Sequence, residues 1–199
     1  MSEADAEAFV RRTFATRGYG VELRKIPEST ARTPDYGVFA GGTRVAVLEV
    51  KHLEYTPPTA QNGWSVTSFG NGLQRATRAL DNGPRRVITK IRDAAQQLCG
   101  HAGTKMLAFV NDENLLDVLD LVDAYNGFLI YGNEEGGYYK NTASRKLSDE
   151  RIGNEKRLVD LYVWIDRCRD GEPQFQFSTA AGYALARKFF GAPSSEDQL

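Results

Sequence analysis

Residues 43–53, Thr-Arg-Val-Ala-Val-Leu-Glu-Val-Lys-His-Leu, decide the fold because an apolar run at 45–48 leads directly into the charged residues Glu49 and Lys51. Strand side chains alternate, so Glu49 and Lys51 project from one face of the sheet. His52 takes the other face, and we assign it to packing or solvent. The apolar run 45–48 is typical of a central strand, and a charged pair at its end costs desolvation unless it is paired or functional. The stretch therefore predicts a central strand that carries a functional site.

A hairpin at Gly41-Gly42 joins this strand to the preceding one, and its register decides which residue meets Glu49. A loop of these two glycines alone would place Asp35 opposite Leu48, on the wrong face. A three-residue loop over 41–43, or a bulge near Asp35, would instead place Asp35 opposite Glu49, with Cβ atoms about 5 Å apart. We predict one of these devices, because two carboxylates this close can hold one divalent cation.

The rest of the chain alternates helical and strand patterns, and this order predicts an α/β fold with a central mixed β-sheet flanked by helices. The periodicity predicts helices at 4–17, 84–98, 112–125 and 179–190. It predicts strands at 21–26, 36–40, 43–50, 105–110, 128–131, 158–165 and 174–177. The stripe expected to be buried in the second helix consists of Val87, Ile91, Ala94, Ala95 and Leu98.

The organisation predicted from these patterns is one domain over residues 1–192 with a flexible acidic tail at 193–199. Residues 54–84 contain three prolines, four glycines and three asparagines, with little periodicity. Connections of this length are uncommon and usually functional. We therefore predict a long inserted loop at 54–84.

Composition excludes several classes of protein. The chain has 199 residues and a formal net charge of -1, which excludes a uniformly basic nucleic-acid binder but not a local basic surface. No run approaches the roughly 18 apolar residues of a membrane span, and residues 1–8 lack the pattern of a secretory signal. With only two cysteines, Cys99 and Cys168, we expect a cytoplasmic protein that does not contact membranes.

The pattern Pro34-Asp35, thirteen intervening residues and Glu49-Val50-Lys51 resembles the PD-(D/E)XK nuclease superfamily. The resemblance extends from the first helix to about Val110, and it implies a restriction-endonuclease-like core. It also implies a metal-dependent nuclease in which Asp35 and Glu49 bind Mg²⁺ or Mn²⁺ and Lys51 assists the attacking water. A carboxylate-bound cation suits this chemistry because it lowers the pKa of bound water and stabilises charge on phosphate oxygens.

Two further residues match features found in many members of this superfamily. Glu7 lies on the first helix, on the same face as Val10 and Phe14, so the resemblance implies a third metal ligand there. A glutamine is common on the helix that follows the lysine strand. Both Gln96 and Gln97 are present, and we favour Gln97 for the catalytic site because it shares a helix edge with Lys90 and Ala94.

Basic residues in and after the long segment are expected to bind the nucleic acid, with DNA favoured over RNA. These residues are Arg75, Arg78, Arg85, Arg86 and Lys90. A homodimer or a partner protein is compatible with this expectation. The alternative is a catalytically silent member of the same fold that serves as a nucleic-acid- or protein-binding subunit.

Overall fold

The computed structural model describes residues 2–17, 19–27, 32–55, 64–68, 74–78, 82–113, 116–126, 129–133, 137–141, 152–167 and 172–191. Its helices are α1 (Glu3–Thr16), α2 (Asn82–Leu98), α3 (Val118–Asn126), α4 (Glu155–Leu158) and α5 (Ala180–Phe190). The six strands of the main sheet are β1 (Glu22–Lys25), β2 (Tyr36–Ala40), β3 (Thr43–Leu53), β6 (Thr104–Asn111), β9 (Leu161–Asp166) and β10 (Gln174–Phe177). Two separate hairpins are formed by β4 (Trp64–Ser68) with β5 (Gln74–Arg78) and by β7 (Leu129–Asn133) with β8 (Gly137–Asn141).

The main sheet has the strand order β1-β2-β3-β6-β9-β10. The central pairs β3–β6 and β6–β9 are parallel, whereas the outer pairs are antiparallel. A parallel pair needs a crossover connection, and the segments that contain α2 and then α3 and α4 supply the two crossovers. The fold is therefore α/β with a mixed sheet, as the sequence predicted.

Helices cover both faces of the sheet because its central strands are apolar on both sides. On one face, α1 and α5 pack against residues such as Leu48 and Val50 of β3. On the other face, α2 and α3 pack against Val47 and Leu53 of the same strand. The predicted stripe of α2 is buried, at Val87, Ile91, Ala94, Ala95 and Leu98.

Helix α1 begins at Glu3, one residue before its predicted start, because Ser2 caps it. The Ser2 hydroxyl accepts from the Asp5 N–H at 3.3 Å, and the Asp5 carboxylate accepts from the Ser2 N–H at 2.9 Å. This reciprocal pair is a capping box, which satisfies donors that the first turn leaves free. Ala6, Val10 and Phe14 are buried against the sheet, so the packing fixes the rotation of the helix and the direction of its other side chains.

The prediction of a continuous loop at 54–84 was wrong. Within it, β4 and β5 pair as an antiparallel hairpin and α2 begins at Asn82. The prolines and glycines dominated the composition of the segment and concealed short strands rich in threonine, valine and serine. The predicted tail at 193–199 lies outside the described residues.

The helix predicted at 112–125 begins six residues later, at Val118. The Asn111 amide donates to the Glu113 and Leu116 carbonyls at 3.1 and 2.9 Å, which holds the chain in a turn. The Asp117 carboxylate then accepts from the Leu119 N–H at 2.9 Å and caps the helix. The strand predicted at 158–165 also starts late, at Leu161, because α4 precedes it.

We predict that Gly182→Ala destabilises the protein by about 1–3 kcal/mol, because overpacking a close contact forces the backbone to move. A Cβ on Gly182 would lie 1.9 Å from the carbonyl oxygen of Asp160, a backbone atom of the residue that directly precedes β9. Chemical denaturation measures the change. At an open helical position alanine would stabilise by up to about 1 kcal/mol relative to glycine, so an increase in stability would contradict the close approach.

Candidate active site

The candidate site forms where β2 begins beside the middle of β3. Gly41 and Gly42 alone make the hairpin loop, with φ angles of 54° and 81°. Phe39 pairs with Arg44 but Val38 pairs with Ala46, so the register shifts by one residue at a bulge. A bulge is one of the two predicted devices, and that prediction is confirmed.

The bulge brings Asp35 to Glu49. Below it, Tyr36 pairs with Leu48, so Asp35 is the next residue toward Glu49. The Asp35 side chain also replaces a strand contact, since its Oδ2 accepts from the Val50 N–H at 2.8 Å. Burial raises the pKa of the Asp35 carboxyl against the opposing effect of the Val50 N–H.

Glu49 and Lys51 form a buried ion pair on the face of β3 that packs against α2. The Lys51 Nζ lies 2.6 Å from Glu49 Oε1 and donates a second hydrogen bond to Gln97 Oε1, also at 2.6 Å. The Glu49 side chain is 1% exposed and the Lys51 side chain 9%. The structure thus places Gln97, the residue favoured over Gln96, directly against the lysine.

The second carboxylate oxygen of Glu49 differs from the one that pairs with Lys51. This oxygen, Oε2, is fully buried and accepts no hydrogen bond from any residue that the structure describes. Burial, together with the nearby Asp35 carboxylate, raises the pKa of Glu49 to about 7 despite the Lys51 ammonium. An unpaired buried acceptor is costly, so it indicates a group that a ligand completes.

Glu7 lies beside Asp35 and shares a lysine with it, rather than pairing with Glu49 or Lys51. Its Oε2 accepts from the Tyr36 hydroxyl at 2.9 Å and pairs with the Lys25 ammonium. Lys25 also approaches Asp35, with Nζ 3.5 Å from Oδ1. The Glu7 side chain is largely buried, so the predicted inward direction is confirmed, whereas Glu3 is exposed.

The described residues contain no group of three His, Cys, Asp or Glu side chains arranged to share one ion. Glu7, Asp35 and Glu49 are therefore not assembled as a three-carboxylate cluster. A pair of carboxylates still suits Mg²⁺, which usually keeps several waters and takes one or two protein carboxylates plus substrate phosphate. The unpartnered Glu49 oxygen next to Asp35 fits such an ion.

The basic residues predicted to bind nucleic acid have different surroundings. Arg86 is held in the fold, because its guanidinium pairs with Glu113 at 3.2 Å and donates to the Glu54 carbonyl at 2.7 Å. Arg85 is exposed, and Lys90 lines a pocket of about 350 Å³ with Arg86 and His52. A larger pocket, about 420 Å³, lies between α1 and β1 and is lined by none of the candidate residues. The side chains of Arg75 and Arg78 lie outside the described part of the structure.

The sequence reading missed Lys25 and the contacts of His52. The alternation of β1 places Lys25 on the same face as Leu23, and its register partner is Tyr36. The face of Lys25 was readable from sequence, but its pairing with residues of α1 and β2 was not. His52 is buried as packing, and its Nε2 lies 2.9 Å from the Asp112 carboxylate.

Comparisons of the chain with protein-family models, curated proteins and solved structures found no match. None of the described helices has the length and apolar character to cross a bilayer.

We predict that metal-free protein loses stability through Glu49 as the pH rises from about 4.5 to about 7. The folded pKa of about 7 exceeds the unfolded value of 4.5, so the folded state binds more protons in this window. The contribution is on the order of 3 kcal/mol, because one pKa unit corresponds to about 1.4 kcal/mol.

Thermal denaturation in EDTA at several pH values measures this effect against Glu49→Gln, which cannot ionise. The stability of the variant relative to wild type should increase between pH 4.5 and pH 8. A difference between the two proteins that stays constant with pH would contradict the raised pKa.

Proposed function

We propose that the protein is a metal-dependent nuclease that hydrolyses phosphodiester bonds with Mg²⁺ or Mn²⁺. The observation that carries the proposal is the unpartnered, buried Glu49 oxygen beside Asp35, on the strand that presents Lys51. Buried titratable groups with perturbed pKa values concentrate at functional sites. The resemblance of these positions to the PD-(D/E)XK pattern supports phosphodiester hydrolysis as the reaction class.

Asp35 and Glu49 would hold the cation, which when bound supplies Lewis acidity and a more acidic water. The Val50 N–H holds the Asp35 side chain in place by donating to one of its carboxylate oxygens, directly before the start of β2. Glu49 is fixed by Lys51 through one oxygen only. Both carboxylates are therefore held by the backbone or by a neighbour before any ligand arrives.

Lys51 supplies a positive charge that cannot move far, since Glu49 and Gln97 each accept one of its hydrogen bonds. An ammonium has three donors, so the contacts of the described residues leave one for water or for a phosphate oxygen. Its near-complete burial strengthens its interaction with a developing negative charge. Gln97 is a positioning residue that acts through Lys51.

The substrate in this proposal is nucleic acid, with DNA favoured over RNA because of the resemblance. The exposed Arg85 and the partly buried Lys90 on α2 are the proposed phosphate contacts, whereas Arg86 pairs with Glu113. A homodimer or a partner protein and a cytoplasmic location belong to the same proposal. An exposed free thiol at Cys99 supports a reducing compartment.

A second candidate is a silent member of this fold that binds nucleic acid or protein without cleaving it. The observation that favours it is internal pairing, since Lys25 contacts Glu7 and Asp35 while Lys51 contacts Glu49. Carboxylates already paired with lysines need no metal for stability. Cleavage assays with the Asp35 variant below separate the two candidates.

We expect Asp35→Asn to lower the rate of Mn²⁺-dependent cleavage by at least about 100-fold, because even outer-shell partners of a metal contribute 10–100-fold. The assay uses supercoiled, linear duplex and single-stranded DNA and a matched RNA. Asp93→Asn, an exposed position on α2, is the control and should retain the wild-type rate. If wild type cleaves none of these substrates with Mg²⁺ or Mn²⁺, the nuclease proposal fails and the binding subunit is favoured.

We expect Gln97→Leu to lower kcat by about tenfold with little change in KM, because Lys51 loses one of the hydrogen bonds that orient it. Gln96→Leu is the matched control, since Gln96 is the adjacent exposed residue on the same helix. Steady-state kinetics on the best substrate measure both variants. Equal kcat values for the two variants would remove Gln97 from the site.

A further inference from the structure

Lys25 lies between two acidic side chains that come from different elements. Its ammonium pairs with Glu7 of α1 and lies 3.5 Å from Oδ1 of Asp35, which precedes β2. Both acidic side chains are mostly buried, at 16% and 19% exposure, whereas the Lys25 side chain is 44% exposed. An edge-strand lysine thus pairs with two carboxylates that are more buried than it is.

The contact has an electrostatic reason. Burial is the main cause of the raised pKa of Asp35, and the charge of Glu7 raises it further because the two carboxylates repel each other. The Lys25 ammonium offsets this repulsion, as Lys51 does for Glu49 on the other face of β3. Without a metal ion, each carboxylate of the site therefore has a lysine as its counterion.

The two lysines differ in how easily each ammonium can move away from its carboxylate. Lys51 is 9% exposed and held by two acceptors, so moving it away would leave the buried Glu49 carboxylate without its counterion. Lys25 is nearly half exposed and its flexible stem can carry the ammonium into water. Glu7 would stay in place, because the Tyr36 hydroxyl holds it independently of the lysine.

A divalent cation on Asp35 would stand within a few ångströms of the Lys25 ammonium. Like charges at this distance repel strongly where solvent is partly excluded. The lysine and the ion therefore compete for the same carboxylate, and binding of one weakens binding of the other.

We propose that Lys25 is a built-in competitor of the divalent cation, a residue that occupies Asp35 in the metal-free protein and is displaced when the ion binds. The inference rests on the proposed function, because it requires a cation site at Asp35 and Glu49. It assigns Lys25 the role of setting the metal concentration at which the site fills. No contact with substrate is required of it.

Isothermal titration calorimetry with Mn²⁺ alone tests this role, without nucleic acid and independently of cleavage. Lys25→Gln should bind Mn²⁺ about tenfold more tightly than wild type, because a like charge next to the ion has been removed. Arg24→Gln is the matched control, because it removes the same charge from the adjacent residue of β1. Among the described residues, the Arg24 guanidinium pairs only with exposed Glu22, and it lies over the Phe39 ring. Its Mn²⁺ affinity should stay within about twofold of wild type, since exposed charges are screened.

A thermal shift gives the second readout. In EDTA, Lys25→Gln should melt at a lower temperature than wild type, because Glu7 and Asp35 lose their counterion. Added Mn²⁺ should raise its melting temperature by more than it raises that of wild type. Circular dichroism at 20 °C checks that the variant is folded.

The outcomes separate this inference from the proposed function. If both proteins bind Mn²⁺ with equal affinity, Lys25 is no competitor, while the metal site of the proposed function stands. Weaker binding by Lys25→Gln would overturn the inference in the same way and would make the lysine a support of the site. If Lys25→Gln binds and wild type does not, competition is supported and a nuclease loaded at ordinary metal concentration is not. If neither protein binds Mn²⁺, both proposals fail.

Discussion

The buried ion pair of Glu49 and Lys51 in a central strand is the constraint on which the rest of the site depends. A strand covered by helices on both faces ordinarily carries apolar residues, and replacing a buried ion pair by apolar residues is often neutral or stabilising. The pair is therefore poor as a stabilising device. The pair instead fixes two opposite charges on one face of β3. Gln97 on α2 accepts a second hydrogen bond from the lysine.

The bulge in the β2–β3 hairpin brings a second carboxylate, that of Asp35, next to Glu49. A hairpin of regular register with the same two-glycine loop would put Asp35 opposite Leu48, and its carboxylate on the face away from Glu49. One extra residue in β3 changes the pairing from Phe39–Arg44 to Val38–Ala46 and so brings the two acids together. Bulges commonly re-aim side chains near functional sites, and the cost is one unpaired residue in the ladder.

Much of this could be read from sequence because it follows from local periodicity. The buried stripe of α2 and the alternation of β3 depend only on spacings of 3.6 and 2 residues. The need for a bulge followed from counting residues between Asp35 and Glu49, although its position at Val38 did not. The late start of α3 was missed because the amide of Asn111 competes for the chain, and side-chain contacts of that kind leave no periodic signal.

Contacts between distant segments were the least predictable part, and Lys25 shows why. Lys25 stands between Arg24 and Ile26 in an alternating strand, so nothing local separates it from a solvated edge-strand lysine. Its significance arises only when α1, β1 and the start of β2 meet, which brings Glu7, Lys25 and Asp35 together.

The two lysines of the site then give it an asymmetry with a chemical consequence. Lys51 is buried and held on both sides, so it stays beside Glu49 whether or not an ion is present. Lys25 is nearly half exposed, pairs with the carboxylates of Glu7 and Asp35 and lies over the Tyr36 ring. In the proposed metal-bound state, a cation would displace the movable positive charge of Lys25 from Asp35, whereas the charge of Lys51 beside Glu49 would stay fixed. The unpartnered Glu49 oxygen would then supply the second carboxylate ligand.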